Sequence, residues 1–211
     1  MTALDFSVTA ARPARHAAVP TMQFSLRASE RSGGRVHAAA VQCQIRIEPQ
    51  RRSYTSEEET RLFEMFGDTP QWGDSLRPFL WTHASTVIPG FAGKVDVDLP
   101  VECTYDFEVA GAKYMHLLAG GEIPLLFLFS GTVFSEGASG FSAQRIGWEQ
   151  EARFRLPVES WREMIDAYFP GSAWLRVSRG TLDDLYRYRV EHALPTWDQA
   201  IEKLIKEGGQ R

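Results

Sequence analysis

The 211-residue chain has 23 basic and 27 acidic side chains, a formal net charge of −4, and 44% hydrophobic residues. These totals fit one soluble globular domain, and the interleaved charges argue against a nucleic-acid binder, which would need a basic face. No stretch reaches the roughly 18 to 20 apolar residues of a spanning helix, and the N-terminus lacks the apolar segment of a secretory signal. The sequence therefore predicts a cytoplasmic single domain over 1–211, ordered over about 5–205, with a frayed tail over 206–211.

Alternating apolar and polar residues in the first third of the chain are typical of strands with one buried face. Strands are predicted over 5–9, 21–29 and 36–47. The SGG turn at 32–34 separates the last two, so we expect an antiparallel hairpin there. Cys43 falls on the buried face of the third strand, where it would pack as a small hydrophobe.

A helix and another strand are expected next. The helix is predicted within 54–67, where Ser56 and Glu59 have capping-box spacing. The segment 79–88 has the composition of a strand, and IPGFAG at 88–93 indicates that the strand turns there.

The segment 95–103 alternates strongly, with Asp96 and Asp98 on its polar face. Pro100 lacks a backbone N–H, which predicts an edge strand or a bulged one. Cys103 ends this strand, and its distance from Cys43 in the sequence fits neither metal nor redox spacing. We therefore predict reduced thiols, with a disulfide between the two as the open alternative.

The segment 104–121 changes to a helical period. Asp106 and Glu108 would lie in the first turn, where the helix dipole favours acidic residues. Two glycines at 120–121 would end the helix. A strand continuing to Val109 is the alternative interpretation.

The most apolar stretch is EIPLLFLFSGTVF, residues 122–134. The run 123–129 is too short to cross a membrane, and its composition favours a strand. A continuous apolar run also indicates burial on both faces. We predict that it forms the core, so that Leu126→Asp would leave little folded protein.

The remainder predicts a turn at 135–140 and helix N-termini at Pro157, Thr181 and Thr196. Strands are expected at 141–148, 152–157 and 173–178, and helices at 158–169, 181–194 and 196–205. The predicted fold class is α+β, a mostly antiparallel and sandwich-like sheet of about seven or eight strands. Helices would be inserted into it, and two helices would follow at the C-terminus.

Motifs for phosphate, dinucleotide or zinc-protease chemistry are absent from the sequence. The five histidines never fall at metal-ligand spacing within one element. We therefore predict no catalytic residues, no metal and no cofactor. If the protein is an enzyme, the candidate site is His83, His116, Cys103 and Asp106, brought together from distant positions.

Exposed aromatic residues would instead indicate a docking surface for another protein. The candidates are Trp72, Arg77 and Trp81, around the polar loop QWGDSLRP, and Trp197 near the C-terminus. The alternative for Trp81 and Trp197 is that they cap the core.

Several long phrases resemble an uncharacterised bacterial family found chiefly in actinobacteria and commonly encoded near [NiFe] hydrogenase genes. The phrases are HAAVPTMQFSLR, VQCQIRIEPQRR, LRPFLWTH, CTYDFEVAGAKY, GEIPLLFLFSGTVF, WREMIDAYFPGSAWLR and ALPTWDQAIEKL. The resemblance covers about 5–205 and supplies no catalytic residues to transfer. It implies a non-enzymatic accessory protein whose partner is a hydrogenase subunit or assembly factor.

A weaker architectural likeness, through an F-x-V strand and a P-x-x-F-x-L strand, is to the export chaperone SecB. It implies a homo-oligomer with apolar grooves that hold unfolded client chains. An accessory protein that binds another protein is the leading interpretation. An enzyme with an unrecognised site, and a SecB-like or structural homo-oligomer, are the alternatives.

Overall fold

The computed structural model describes residues 4–104, 106, 109–137, 140–147, 149–171 and 176–209. The chain forms two compact units, Met1–Ala173 and Trp174–Arg211, and each is described by itself. That the two units make a single domain stays a prediction.

The described part of the first unit contains eight strands and four α-helices. The strands are β1 (Leu4–Pro13), β2 (Thr21–Glu30), β3 (Arg35–Ile47), β4 (Phe79–Ala92), β5 (Lys94–Glu102), β6 (Glu122–Gly137), β7 (Gly140–Arg145) and β8 (Glu151–Pro157). The helices are α1 (Ser56–Phe66), α2 (Trp72–Ser75), α3 (Ala110–Leu117) and α4 (Val158–Tyr168), with 3-10 turns at Pro49–Arg51 and Thr69–Gln71.

All strand pairs are antiparallel and belong to two sheets. The three-stranded sheet has the order β1-β2-β5, and the five-stranded sheet has the order β4-β3-β6-β7 with β8 also paired to β6. The structure confirms an α+β fold built on antiparallel strands. It also confirms β5 as an edge strand, with Asp96 and Asp98 exposed and Leu99 and Val101 buried.

The predicted hairpin between β2 and β3 is wrong. β2 pairs with β1 and β5, whereas β3 pairs with β4 and β6. The glycine turn therefore passes the chain from one sheet to the other. An alternating pattern fixes which face of a strand is buried, but it does not name the neighbouring strand, and this was the source of the error.

Aromatic rings connect the two sheets in the interior. Phe6 of β1 stacks on Phe129 of β6 with ring centroids 4.6 Å apart. Phe24 of β2 meets Phe127 of β6 edge-on at 5.2 Å and Phe154 of β8 at 6.0 Å. Such stacked and edge-to-face pairs add to the free energy gained by burying the rings.

The apolar run 123–129 lies entirely within β6, as predicted. Its residues are buried apart from Leu128, which is half-buried. β6 also pairs with β3 along one side and with β7 and β8 along the other. The segment is therefore a central strand of the core.

β4 is longer than predicted. It continues through Pro89 and Gly90 to Ala92, and the turn falls at Gly93, where φ is 71°. A Cβ at Gly90 would lie 2.9 Å from the backbone oxygen of His37. The glycine there allows β3 to approach closely, and it does not mark a turn.

Two helices of the first unit begin at other residues than predicted. Thr55, not Ser56, caps α1: its side chain accepts from the backbone N–H of Glu58 in a complete capping box. α3 begins at Ala110, so Asp106 precedes the helix and is not in its first turn. Phe107 and Glu108 lie outside the described residues.

The helix that follows β8 agrees better with its prediction. Pro157 is the N-cap of α4, one position before its first turn. Trp161, Met164 and Ile165 form its buried face. Tyr168 is only half-buried, and its hydroxyl donates to the Ala17 carbonyl oxygen at 2.8 Å.

The described part of the second unit consists of α5 (Arg179–Glu191) and α6 (Trp197–Gly208). Ser178, not Thr181, is the N-cap of α5, whereas Thr196 caps α6 as predicted. The last predicted strand is wrong over 176–178, which are not in a strand, and its residues 173–175 lie outside the described part. α6 also continues into the tail, to Gly208.

Candidate binding pocket between three helices

A cavity of about 530 Å³ opens between α1, α3 and α4 of the first unit. Its lining residues are Arg61 from α1, His116 and Leu117 from α3, and Trp161, Arg162, Ile165 and Asp166 from α4. Apolar side chains from two helices thus lie beside ionisable groups from all three. His116 is the one member of this set that the sequence analysis had selected.

Arg162 fixes the end of α3 against α4. Its guanidinium donates to the carbonyl oxygen of Ala119 at 2.9 Å and also to that of Leu118. These are carbonyls at a helix C-terminus, which need donors from outside the helix. The same guanidinium contacts Glu159, one turn earlier on α4, at 3.2 Å.

A buried ion pair holds the start of α1 against the loop after α3. Arg52 donates to Glu58 Oε1 at 2.7 Å, and the backbone N–H of Ala119 donates to the same oxygen at 2.8 Å. Glu58 Oε2 accepts from the backbone N–H of Thr55 at 3.1 Å. Arg52 also reaches the Gly120 carbonyl oxygen at 3.2 Å. This network positions α1, and with it Arg61, relative to α3.

Burial alone would raise the pKa of Glu58. The hydrogen bonds from the backbone of Thr55 and Ala119 and the nearby Arg52 guanidinium outweigh burial and hold this pKa below its ordinary value. Glu58 is therefore charged at neutral pH and pairs with Arg52 as an ion. The residue predicted for the capping box was Glu59, one position further along α1, whereas Glu58 completes it.

The pocket is basic despite the acidic chain around it. Burial, then the charges of Arg162 and Arg61, lower the pKa of His116, so that its imidazole is neutral at pH 7. Two guanidinium groups therefore face one lining carboxylate, Asp166. Arg61 also pairs with Glu57 on its own helix, exposed to solvent, where such a pair contributes little.

The pocket walls combine charge with apolar surface. Trp161 and Ile165 are almost completely buried, and Leu117 is half-buried. A group with a carboxylate and an apolar body would meet both kinds of contact here. Guanidinium groups bind carboxylates through paired, charge-assisted hydrogen bonds.

A second, shallower cavity of about 800 Å³ lies on the five-stranded sheet. β3, β4 and β6 supply most of its lining, with Arg145 and Ile146 at one side. Arg145 is the one ionisable group among its lining residues. A Cβ at Gly131 would lie 2.0 Å from the Ala40 carbonyl oxygen, so the close approach of β6 to β3 requires glycine there.

The structure does not gather the four candidate enzyme residues into one cluster. His83 is exposed on β4 and lies 3.3 Å from the Gln44 amide nitrogen, whereas His116 lines the helix pocket. Cys103 is buried after β5, and Asp106 is exposed in the following loop. Across the described part of the chain, no three His, Cys, Asp or Glu side chains are placed to hold a metal ion.

Both cysteines are free and buried. Burial raises the pKa of the Cys43 and Cys103 thiols to about 12, more than backbone hydrogen bonding lowers it. Each thiol is therefore protonated at neutral pH. A thiol needs its thiolate form to act as a nucleophile, so neither cysteine is activated for catalysis.

The docking residues predicted from the sequence fall in different environments. Trp72 is buried, with its Nε1 donating to the Gly67 carbonyl oxygen at 3.0 Å, so it does not present an exposed ring. Trp81 is half-buried and packs edge-on against Phe24. Arg77 is exposed.

Trp197, in the second unit, remains exposed at the start of α6. The guanidinium of Arg189 lies 4.2 Å from the centre of its ring. Of the three predicted docking tryptophans, Trp197 is the most exposed.

Fold and pocket together define an α+β protein with two antiparallel sheets and a basic pocket between helices. The chain belongs to DUF6084, a family of unknown function whose model matches residues 1–211. No curated protein matches the sequence.

Solved structures show only distant similarity. The CARDB domain of a Pyrococcus furiosus protein, solved with di-metal ions, is 8% identical, with 74% of this chain and 92% of that chain covered and a TM-score of 0.29. The Escherichia coli fimbrial subunit AggA is 11% identical, with 74% and 95% covered and a TM-score of 0.27. Beta-glucosidase 3B of Thermotoga neapolitana is 12% identical, with 73% and 17% covered and a TM-score of 0.26. Similarity at this level carries no argument about function.

Within the described ranges, every helix is too short or too polar to cross a membrane.

Proposed function

We propose that this protein is a non-enzymatic accessory protein, and that its helix pocket receives an acidic segment of a partner protein. The proposal rests on one cavity of about 530 Å³, in which Arg61 and Arg162 lie beside the apolar side chains of Trp161 and Ile165. An aspartate or glutamate next to an apolar residue would satisfy both parts of such a pocket.

Charge distribution supports this choice of partner. The chain has a net charge of −4, whereas the pocket lining contains two arginines and one carboxylate, so an acidic segment would be attracted there. A local charge attraction of this kind favours one orientation of binding over others. Arginine is also among the side chains that most often dominate binding energy at protein interfaces.

The family resemblance suggests where the partner is found. We propose a subunit or assembly factor of a [NiFe] hydrogenase, in the cytoplasm of an actinobacterium. The free thiols of Cys43 and Cys103 are compatible with a reducing compartment. We further propose that the two sheets pack as a sandwich, which the ring contacts of Phe24 with Phe127 and Phe154 support. The SecB likeness stays a prediction.

Co-purification from the native host, followed by mass spectrometry, tests the proposal. Tagged wild type would be compared with Arg61→Glu, which reverses an exposed charge in the pocket. Arg145→Glu makes the same charge change at the sheet cavity and serves as the matched control. We expect wild type and Arg145→Glu to retain one partner with an acidic segment and Arg61→Glu to lose it.

Equal retention by Arg61→Glu would contradict the pocket as the contact. Loss of the partner only with Arg145→Glu would indicate that the contact lies at the sheet cavity. Recovery of a hydrogenase subunit or assembly factor by wild type would support the proposed partner. Turnover of a small molecule by purified wild type would overturn the non-enzymatic assignment.

A further inference from the structure

The two helices of the second unit leave large apolar side chains uncovered. In each helix these residues recur at every fourth position, which places them along one side. They are Leu182, Tyr186 and Val190 on α5 and Trp197, Ile201 and Ile205 on α6, with exposed fractions from 37 to 68%. We call these six residues the apolar face.

Part of the contact between α5 and α6 is made by residues outside the apolar face. The Tyr188 hydroxyl donates to Glu207 at 3.0 Å, and the Lys203 ammonium lies 5.8 Å from the Tyr188 ring centre. Tyr188 follows Tyr186 by two positions, about 200° around the helix. Lys203 and Glu207 are offset in the same way from Ile201 and Ile205. This part of the contact between the helices leaves Leu182, Val190, Ile201 and Ile205 exposed.

One cluster links the two halves of the apolar face. The rings of Tyr186 and Trp197 have centroids 6.4 Å apart. The Arg189 guanidinium lies 5.3 Å from the first ring centre and 4.2 Å from the second. The apolar residues of the two helices thus meet where Tyr186, in the middle of α5, contacts Trp197 at the start of α6.

Helices of this size need a partner to cover such a face. α5 has 13 residues and α6 has 12, which is marginal for an isolated helix in water. Most of the stability of short helices comes from packing an apolar side against something else. Exposed apolar surface of this kind marks an interaction site.

The charges of α5 identify the occupant. Asp183 and Asp184 lie in its first half, and Arg187 and Arg189 lie in its second half. A second α5 in antiparallel orientation brings acidic residues against basic ones, whereas a parallel copy brings like charges together. Asp183 directly follows Leu182 at the border of the apolar face and forms no ion pair within the described part of the chain.

We propose that the apolar face binds a second copy of this chain, with the two α5 helices antiparallel and crossing at Tyr186. Leu182 then packs against Val190 of the partner subunit, and Asp183 pairs with Arg187 of the partner subunit. The resulting dimer has a twofold axis through the crossing point of the two α5 helices. This inference does not depend on the helix pocket or on its proposed acidic ligand.

Two charge-reversed variants of the full chain test the inference by sedimentation velocity. Wild type is expected to dimerise. Asp183→Arg and Arg187→Asp each place like charges at both symmetric contacts, and should raise the dimer dissociation constant by about tenfold or more. An equimolar mixture of the two variants pairs opposite charges at both contacts, so heterodimers should form with near wild-type affinity.

Arg187 also contacts Asp184 on its own helix, so Arg187→Asp has a local effect as well. The mixture controls for this, because the local change is the same with and without the second variant. Circular dichroism should show equal helix content in all samples. The inference is overturned if wild type stays monomeric, or if the mixture associates no more tightly than either variant alone.

Tyr186→Asp gives an independent check, because it places a charge at the centre of the apolar face. It should leave the chain monomeric while helix content is retained. A dimer that survives this change lies elsewhere on the molecule and also overturns the inference.

Discussion

The β6 segment and the C-terminal helices differ in how far they bury their apolar residues. In β6, six of the seven residues from 123 to 129 are buried, with neighbouring strands on both sides. In α5 and α6, six large apolar residues stay exposed along one face. The first region completes its packing within one chain. The second region has apolar residues at the spacing typical of packed helices, but these residues stay exposed.

The largest effect on the free energy of unfolding is expected in the core, where the side chains are completely buried. Phe127→Ala should lower the free energy of unfolding by about 3–5 kcal/mol, because it removes a fully buried ring that contacts Phe24 and Phe129. Urea denaturation followed by circular dichroism measures this. Val87→Ala, at an exposed position of β4, is the control and should change stability by less than about 0.5 kcal/mol. Equal stability of both variants would refute the core assignment.

An intermediate effect on stability is expected at the buried ion pair between Arg52 and Glu58 in the first unit. Glu58→Gln should lower the free energy of unfolding by about 1.5–3 kcal/mol at neutral pH, because it leaves Arg52 without its buried counter-charge. Glu59→Gln, the next residue on the same helix, is the matched control. Denaturation curves for the three proteins across a pH series give the comparison.

The difference in stability between wild type and Glu58→Gln should depend on pH. The pKa of Glu58 is lower in the folded protein than its ordinary value of 4.5. Its contribution to stability is therefore complete above the unfolded pKa and is lost as pH falls through the folded one. The gap between wild type and Glu58→Gln should close below about pH 4.5. A gap that stays constant into acid would show that the carboxylate charge does not stabilise the fold.

The smallest effect on folding is expected in the apolar face. Val190→Ser should change the unfolding free energy of the dilute monomer by less than about 0.5 kcal/mol, because the side chain is already exposed. It should nevertheless weaken self-association, so that its melting temperature rises less with protein concentration than that of wild type. A loss of several kcal/mol at low concentration would show that Val190 belongs to a core and would remove the contrast between the two regions.

Local patterns were sufficient to predict most elements but not their neighbours. The alternation in β2, β3 and β5 gave the correct buried faces. The β2–β3 hairpin failed because a short glycine turn can also connect two different sheets. β4 was ended too early because Gly90 was interpreted as a turn, although its role is to let the His37 backbone come close.

The candidate site was predictable only in part. His116 was one of the four candidate enzyme residues, and it lines the helix pocket. Arg61 and Arg162 belong to no recognisable motif, and no spacing relates residues that lie on α1 and α4. Trp72 was misjudged because its polar flanking residues indicated exposure, whereas its ring contacts Tyr54 and Phe66. These associations depend on tertiary packing, which local sequence does not encode.

The route of the chain between its two sheets has a consequence for synthesis on the ribosome. β2 is flanked by β1 and β5, yet β5 emerges only after β3 and β4 have been made for the other sheet. Until residues 94–102 leave the exit tunnel, one edge of β2 has no hydrogen-bonding neighbour. A nascent chain stalled before that point would offer this bare edge to any extended peptide nearby. The smaller sheet is therefore expected to close late, and truncations that end before Lys94 should aggregate.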